Sequence, residues 1–251
     1  MTNGAYERYL STVQDLIGKI CQEQLEKAAD LLAETIKNDR LIYVLGTSGH
    51  SYMAAEEMFY RVGGLIPVCP IFPSGLDISH GAERSRIIGR CPGYISKVLD
   101  YHSPGNGDTL LVVNPEGVNC VTIETVLKAK EMGVKVVGIT STEFCKKVPR
   151  NSASRHSSGK NMCEMEELDA IIDIKMPECD SVLSFPNVEA RVSPVSTVLY
   201  MFALNALVGC TVEKLLALGI DPPVWKDHNA PEALKYNKEN SEKYAARIGR
   251  L

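Results

Sequence analysis

Residues 41–62 read LIYVLGTSGHSYMAAEEMFYRV, an apolar run that stops at a Gly/Ser turn and restarts with helical spacing. Leu41, Ile42, Tyr43, Val44 and Leu45 are apolar without alternation, the pattern of a parallel strand covered on both faces. Gly46 permits a tight turn, and Thr47, Ser48 and Ser51 set hydroxyls around the first turn of the helix that follows. Free N–H groups and the helix dipole favour an anion at such a place. The same residues are also ordinary helix caps, so the loop alone leaves capping and anion binding equally open. Glu56 and Glu57 follow roughly two turns further on. They either offer an acid or base to a ligand held at Ser48 or form a solvated helix face.

On the N-terminal side, residues 6–37 place Leu10, Val13, Ile17, Ile20, Leu25, Ala28, Leu32 and Ile36 at helical spacing, in one long helix or two broken ones. On the C-terminal side, residues 65–71 (LIPVCPI) read as a second strand, its two prolines placing it toward a sheet edge. An irregular segment, FPSGLDISHGAERSR, carries His80, Glu83, Arg84 and Arg86. Long loops beyond strand ends are where α/β proteins keep their ligand chemistry, although a plain surface loop is the alternative. A helix over 93–101 leads to a third strand over 109–114. The loop Asn114, Pro115, Glu116, Gly117, Val118, Asn119 and a helix over 121–132 repeat the strand, loop, helix unit. Asn119 is the expected cap of that helix and Gly117 allows close approach of backbone to ligand, whereas Glu116 opposes a dianion.

The fourth strand is expected at 135–140, followed by Ser141 and Thr142. Beyond it, NSASRHSSGK (151–160) gathers Arg155, His156, Ser157, Ser158 and Lys160, a mixture that suits an anionic polyol or forms a solvated basic turn. The fifth strand is AIIDI, 170–174. Residues 193–218 are apolar nearly all round, and Pro194, Ser196, Thr197, Asn205, Thr211, Glu213 and Lys214 interrupt them enough for a core helix rather than a membrane span. The tail DPPVWKDHNAPEALKYN offers His228 and Asn229 ahead of a polar amphipathic helix. Strands alternating with helices, joined by right-handed crossovers, predict an α/β fold: a three-layer αβα sandwich on a five-stranded parallel sheet. One domain over 1–251 is expected, with an N-terminal helical segment (1–40) and a C-terminal tail and helix (220–251).

Composition narrows the partners. The chain is 45% hydrophobic and 23% charged, with a net charge of -4 and its Lys and Arg spread among acids, which argues against nucleic acid and for a small metabolite. Glu7, Arg8 and Asp15 interrupt the apolar pattern at the start, so no signal peptide is read there and a cytoplasmic location is expected. The 8 cysteines include no CxxC pair and read as buried, inert thiols, with no metal site and no cofactor implied. The N-terminal and late helices carry more apolar face than one sheet covers, from which a homo-oligomer, dimer or tetramer, is expected, with simple intramolecular packing of the N-terminal helix as the alternative.

The motifs GTSGHS-x-x-AAEEMFYRVGGL, SRHSSGK, PVST and PPVW-x-x-HN together resemble the SIS (sugar isomerase) domains, flavodoxin-like proteins that isomerise, bind or transform phosphosugars. Within that family the chain looks most like a bacterial branch of standalone SIS proteins. The resemblance implies that GTSGH is the first phosphate loop, with Ser48 on the sugar phosphate and Thr47, Gly49, His50 and Ser51 around it. It makes Glu57 the carboxylate that moves a proton, with Glu56 beside it. The second loop is rich in Ser and Thr in the family; here Asn114, Gly117 and Asn119 stand there, and Ser141 and Arg155 complete the expected ligand set. Ser196 aligns where family isomerases carry a His or Glu, which leaves His156, His80 or His228 to protonate the sugar oxygen. The implied activity is aldose–ketose isomerisation of a phosphorylated or otherwise anionic sugar through an enediol. A non-catalytic phosphosugar-binding module and a lyase or etherase are the alternatives.

Overall fold

The computed structural model describes residues 4–251. The chain begins with two helices, α1 (Ala5–Gly18) and α2 (Gln22–Lys37), divided by a break at Lys19–Cys21 where Cys21 turns extended. It continues through β1 (Ile42–Gly46), α3 (Met53–Met58), β2 (Val68–Pro70), α4 (Ala82–Ile88), α5 (Tyr94–His102), β3 (Thr109–Val113), α6 (Cys120–Glu131) and β4 (Lys135–Thr140). Then come α7 (Thr142–Lys147), β5 (Ala170–Asp173), β6 (Ser181–Phe185), β7 (Val188–Pro194), α8 (Ser196–Ala217) and α9 (Pro231–Ala245).

β1 to β5 form one parallel sheet in the order β2-β1-β3-β4-β5. Side chains alternate faces along a strand, and both faces here are apolar. Ile42 and Val44 enter one core with Leu111, Val113, Val137 and Ile139, closed by α2 and α8. Tyr43 and Leu45 enter the other with Leu110, Val112 and Val136, closed by α5, α6 and Trp225. Complete burial of each Val, Leu or Ile contributes about 1.5–3 kcal/mol, which is why unbroken apolar runs settle as central strands. The expected αβα layering and five parallel strands are therefore present. α8 is long and apolar enough to cross a membrane, but Leu199, Tyr200, Ala203, Leu204 and Leu207 are buried inside the fold.

The sheet order puts the site. From β1 the chain moves to β2 on one side, then crosses back to β3 on the other, so the connections leaving β1 and β3 diverge. A crevice opens at their carboxyl ends, the usual ligand position in open α/β sheets.

Three features depart from the sequence reading. The irregular segment after β2 contains α4 and a 3₁₀ turn, Ile78–His80, capped by the Asp77 carboxylate on the Ser79 N–H. A hairpin of β6 and β7 stands apart from the main sheet, turning at Asn187 with φ 63°. The thiols are also less uniform than expected: Cys69, Cys120 and Cys145 are buried, while Cys91 is exposed.

Candidate functional site

The loop after β1 is shaped by Gly46. A Cβ there would lie 1.8 Å from the carbonyl oxygen of Ser51, so only glycine lets the chain fold back this tightly. The turn is braced internally: the Ser48 N–H donates to Ser51 Oγ at 3.0 Å, and the two hydroxyls lie 2.8 Å apart. Gly49 packs under Ile78, where a Cβ would meet Cγ2 at 2.5 Å. The loop is held to α8 by Tyr200, whose Oη donates to the His50 carbonyl at 2.8 Å.

This turn forms one wall of a cavity of about 590 Å³ at the β1/β3 crevice. Ser48, Gly49, His50 and Ser51 line it on one side, and Pro115, Glu116 and Asn119 of the loop after β3 line another. Ser85, Arg86 and Arg90 enter from α4 and the turn behind it, and Asp180, Ser196, Thr197 and Tyr200 from the hairpin approach and the start of α8. Phe144 and Met176 supply apolar surface. A cavity that combines two guanidinium groups and several hydroxyls with an apolar surface fits a small polyhydroxylated anion.

The charges are unevenly engaged. Arg86 pairs with Glu83 at 2.6 Å, whereas Arg90 makes no ion pair among the described residues. The Asp180 carboxylate accepts from the Val195 N–H (2.9 Å), the Ser196 N–H (2.6 Å) and the Ser196 hydroxyl (2.8 Å), so it caps the N-terminus of α8. Glu116 lines the cavity as an exposed side chain; the partial desolvation it meets there pushes its carboxyl above the usual range, Arg90 opposes the rise and Asp180 adds to it.

The expected ligand set divides. Ser48, Gly49, His50, Ser51 and Asn119 come together on the cavity wall. Thr47 and Asn114 lie behind it, fully buried: Thr47 Oγ1 is 2.6 Å from Thr122 Oγ1, and Asn114 Nδ2 donates to both hydroxyls at 3.2 and 2.7 Å. They brace the two loops against each other. Asn119 is the N-cap of α6, accepting from the Thr122 N–H at 2.8 Å while its amide holds the Thr47 carbonyl at 3.0 Å. Gly117 adopts φ 63°, and a Cβ would lie 2.6 Å from Cys145 Sγ, so it serves the packing of its loop. Ser141 is buried as the N-cap of α7, accepting from the Phe144 N–H at 3.3 Å and donating to the Met176 carbonyl.

The residues expected to act as catalysts lie off the cavity wall. Glu57 Oε1 accepts from Asn205 Nδ2 at 2.8 Å and pairs with Arg61 Nε at 3.1 Å, because its turn of α3 faces α8. His80 Nδ1 contacts Asp77 at 3.0 Å on the 3₁₀ turn. His156 Nδ1 lies 2.7 Å from the Ser158 hydroxyl, with Nε2 3.9 Å from Glu124. His228 stacks near Tyr60, ring centroids 5.2 Å apart, with Nδ1 at 3.3 Å from the Asn237 amide. Arg155 is only 8% exposed, and its guanidinium donates to the carbonyls of Cys145, Val148, Pro149, Gly159 and Lys160. It closes its own loop, leaving no donor for a ligand. Arg90, Ser85, Asp180 and Thr197 are cavity residues that the sequence reading did not single out. Arg90 follows a helix too short to show periodicity, and Asp180 precedes a hairpin whose arms alternate weakly.

With this geometry in view, residues 5–141 match the SIS domain family. The chain is a member of the SIS family. It is 36% identical over 249 residues to a UPF0309 protein of Caldanaerobacter subterraneus, covering 97% of this chain and 98% of that one. A UPF0309 protein of Geobacillus kaustophilus is 35% identical over 227 residues, covering 90% and 88% of the two chains. Among solved structures, phosphoheptose isomerase GmhA from Neisseria gonorrhoeae superposes with a TM-score of 0.53 at 18% identity, over 82% of this chain and 94% of that one. A phosphoheptose isomerase from Francisella tularensis superposes at 0.52 and 14% identity, over 83% and 95%. At such identities the two structures establish the shared SIS fold.

Proposed function

We propose that this SIS domain binds a sugar carrying a phosphate or another anion in the β1/β3 cavity. The observation that carries the reading is the braced turn at residues 48–51, which brings Ser48 and Ser51 to a cavity that also holds Arg90, a guanidinium with no ion pair among the described residues. The anion belongs at the turn and Arg90, and the sugar hydroxyls against the polar wall of Asn119, Ser85 and Thr197. The phosphosugar chemistry named for the solved relatives supports this class of ligand. A panel of sugar phosphates screened by melting temperature tests it: the true ligand raises the midpoint in proportion to the logarithm of its concentration, and Ser48→Ala reduces the rise. A flat response across aldose and ketose phosphates of all chain lengths would remove the reading.

Aldose–ketose isomerisation through an enediol is the second reading, favoured by one observation: Glu116, a carboxyl with a raised pKa and no partner among the described residues, faces the cavity. Proton carriers for that chemistry come from the cavity wall, where Glu116 and His50 stand, rather than from Glu57, His80, His156 or His228. Exchange of the substrate C2 proton with deuterated water separates an isomerase from a binding module. The expected setting for either is the cytoplasm.

A further inference from the structure

We propose that Glu116 takes up a proton when an anion enters the cavity, so that this one side chain sets which anionic sugars the site accepts. The inference rests on reading the cavity as an anionic-sugar site. Its first support is rigidity. Asn114 Oδ1 accepts from the N–H groups of Glu116 (3.0 Å) and Gly117 (3.1 Å), the Pro115 carbonyl accepts from the Ser141 N–H (3.0 Å), and the Glu116 carbonyl accepts from the Cys145 thiol (3.2 Å). The backbone on both sides is therefore fixed and aims the side chain into the cavity. The second support is that the carboxyl itself has no hydrogen bond or ion pair among the described residues, although the backbone around it is engaged. A pinned backbone beneath a free carboxyl serves a ligand better than it serves the fold.

The titratable groups around it decide which carboxyl responds. Arg90 faces it from the turn after α4, Arg86 from α4 but paired with Glu83, Asp180 from the approach to β6, His50 from the first loop and Tyr200 from α8. Asp180 is already engaged, accepting three hydrogen bonds at the N-terminus of α8. The Glu116 carboxyl has no such partners among the described residues, and partial desolvation at the cavity wall already weakens its charged form. An incoming anion repels the carboxylate and raises its proton affinity further, so bound Glu116 holds a proton taken from solvent. As an acid it becomes an O–H donor to the anion. The sign follows: ligand binding is strongest below the pKa of free Glu116 and weakens as pH rises through it, levelling off above the pKa of the bound state. A singly charged anion then suffers less than a doubly charged one at alkaline pH.

Sulfate is the probe, because it stays a dianion across the working range. Calorimetric titration of the full chain from about pH 5 to about pH 8, in two buffers of different ionisation enthalpy, should show affinity falling about ten-fold for each unit by which the anion raises the pKa. The heat should also differ between buffers in the direction of proton uptake. Glu116→Gln should bind sulfate more tightly than wild type at the alkaline end, with little slope and little buffer dependence, and Ser48→Ala should weaken binding in both backgrounds. Equal slopes in wild type and Glu116→Gln would overturn the inference, place the titration in another group and leave the anion site standing. A pH-independent wild type would also overturn it. Absence of sulfate binding in both proteins would remove the inference and the anionic-sugar reading together.

Discussion

Tyr200 donates a 2.8 Å hydrogen bond to the main-chain carbonyl of His50, joining the buried face of α8 to the turn that lines the cavity. The two residues lie 150 positions apart, so the turn is set by the packed fold as well as by Gly46. Burial pushes the Tyr200 phenol up to about 12, the Thr197 contact opposing, so the hydroxyl remains a donor at neutral pH.

Tyr200→Phe should therefore lower stability by about 1 kcal/mol, the net worth of one hydrogen bond. The His50 carbonyl remains reachable by water, which limits the loss. Urea midpoints measure the first effect, and sulfate or phosphosugar affinity should fall as the turn loosens. Unchanged affinity would mean that the turn holds its shape without α8.

Ser48→Ala should weaken anion binding by roughly 1–3 kcal/mol, the range for a hydroxyl bonded to a charged oxygen. The substitution also removes the 2.8 Å contact with the Ser51 hydroxyl, so Ser51→Ala is the companion measurement. If both variants bind as wild type does, the anion lies elsewhere in the cavity.

Arg155→Ala should leave five backbone carbonyls without their common donor in a buried place. A loss of about 3 kcal/mol or more is expected, and Arg155→Lys should recover little of it because an ammonium cannot span the same fork of acceptors. Denaturant unfolding reports the loss. Ligand affinity in the folded fraction should be unchanged, since the guanidinium has no donor to spare.

How far the sequence can be read depends on whether a signal is local. β1, β3, β4 and β5 are legible because each is an apolar run buried on both faces. The turn at residues 48–51 is legible because glycine and hydroxyls declare it within a few residues. β7 is almost wholly exposed and lacks an apolar stripe, which hid the hairpin, and α4 spans only 7 residues. Arg155 misleads because its cluster of cations and hydroxyls looks like a ligand site, whereas its acceptors are carbonyls brought close by folding.

The expected homo-oligomer can be measured directly. Phe202 and Val198 are 41% and 40% exposed on α8, and Val192 and Val188 on the hairpin are 38% and 48% exposed. Light scattering should give a multiple of 27.5 kDa, and Phe202→Glu should reduce it by placing a charge in the buried contact. A wild-type monomer at micromolar concentration would contradict the packing argument.

The last expectation concerns Glu57, the carboxylate that resemblance assigns to proton transfer. Its Oε1 is held by Asn205 Nδ2 at 2.8 Å and Arg61 Nε at 3.1 Å, and the Asn205 partner comes from 148 residues away on α8. The neighbouring Glu56 differs by about 100° around the helix, so the two cannot face the same way. A carboxylate engaged by both an amide and a guanidinium is directed at its partners, which suits it to fastening α3 onto α8. Glu57→Gln should keep the hydrogen bond to Asn205, lose the pairing with Arg61 and cost no more than about 1 kcal/mol in stability, because Arg61 is largely exposed. If C2 proton exchange is found with a sugar phosphate, Glu57→Gln should retain it. A loss of about 100-fold or more in exchange, with ligand affinity and fold intact, would restore Glu57 as the proton carrier. It would also mean that the Glu57 side chain leaves Asn205 and Arg61 on ligand binding to reach the cavity.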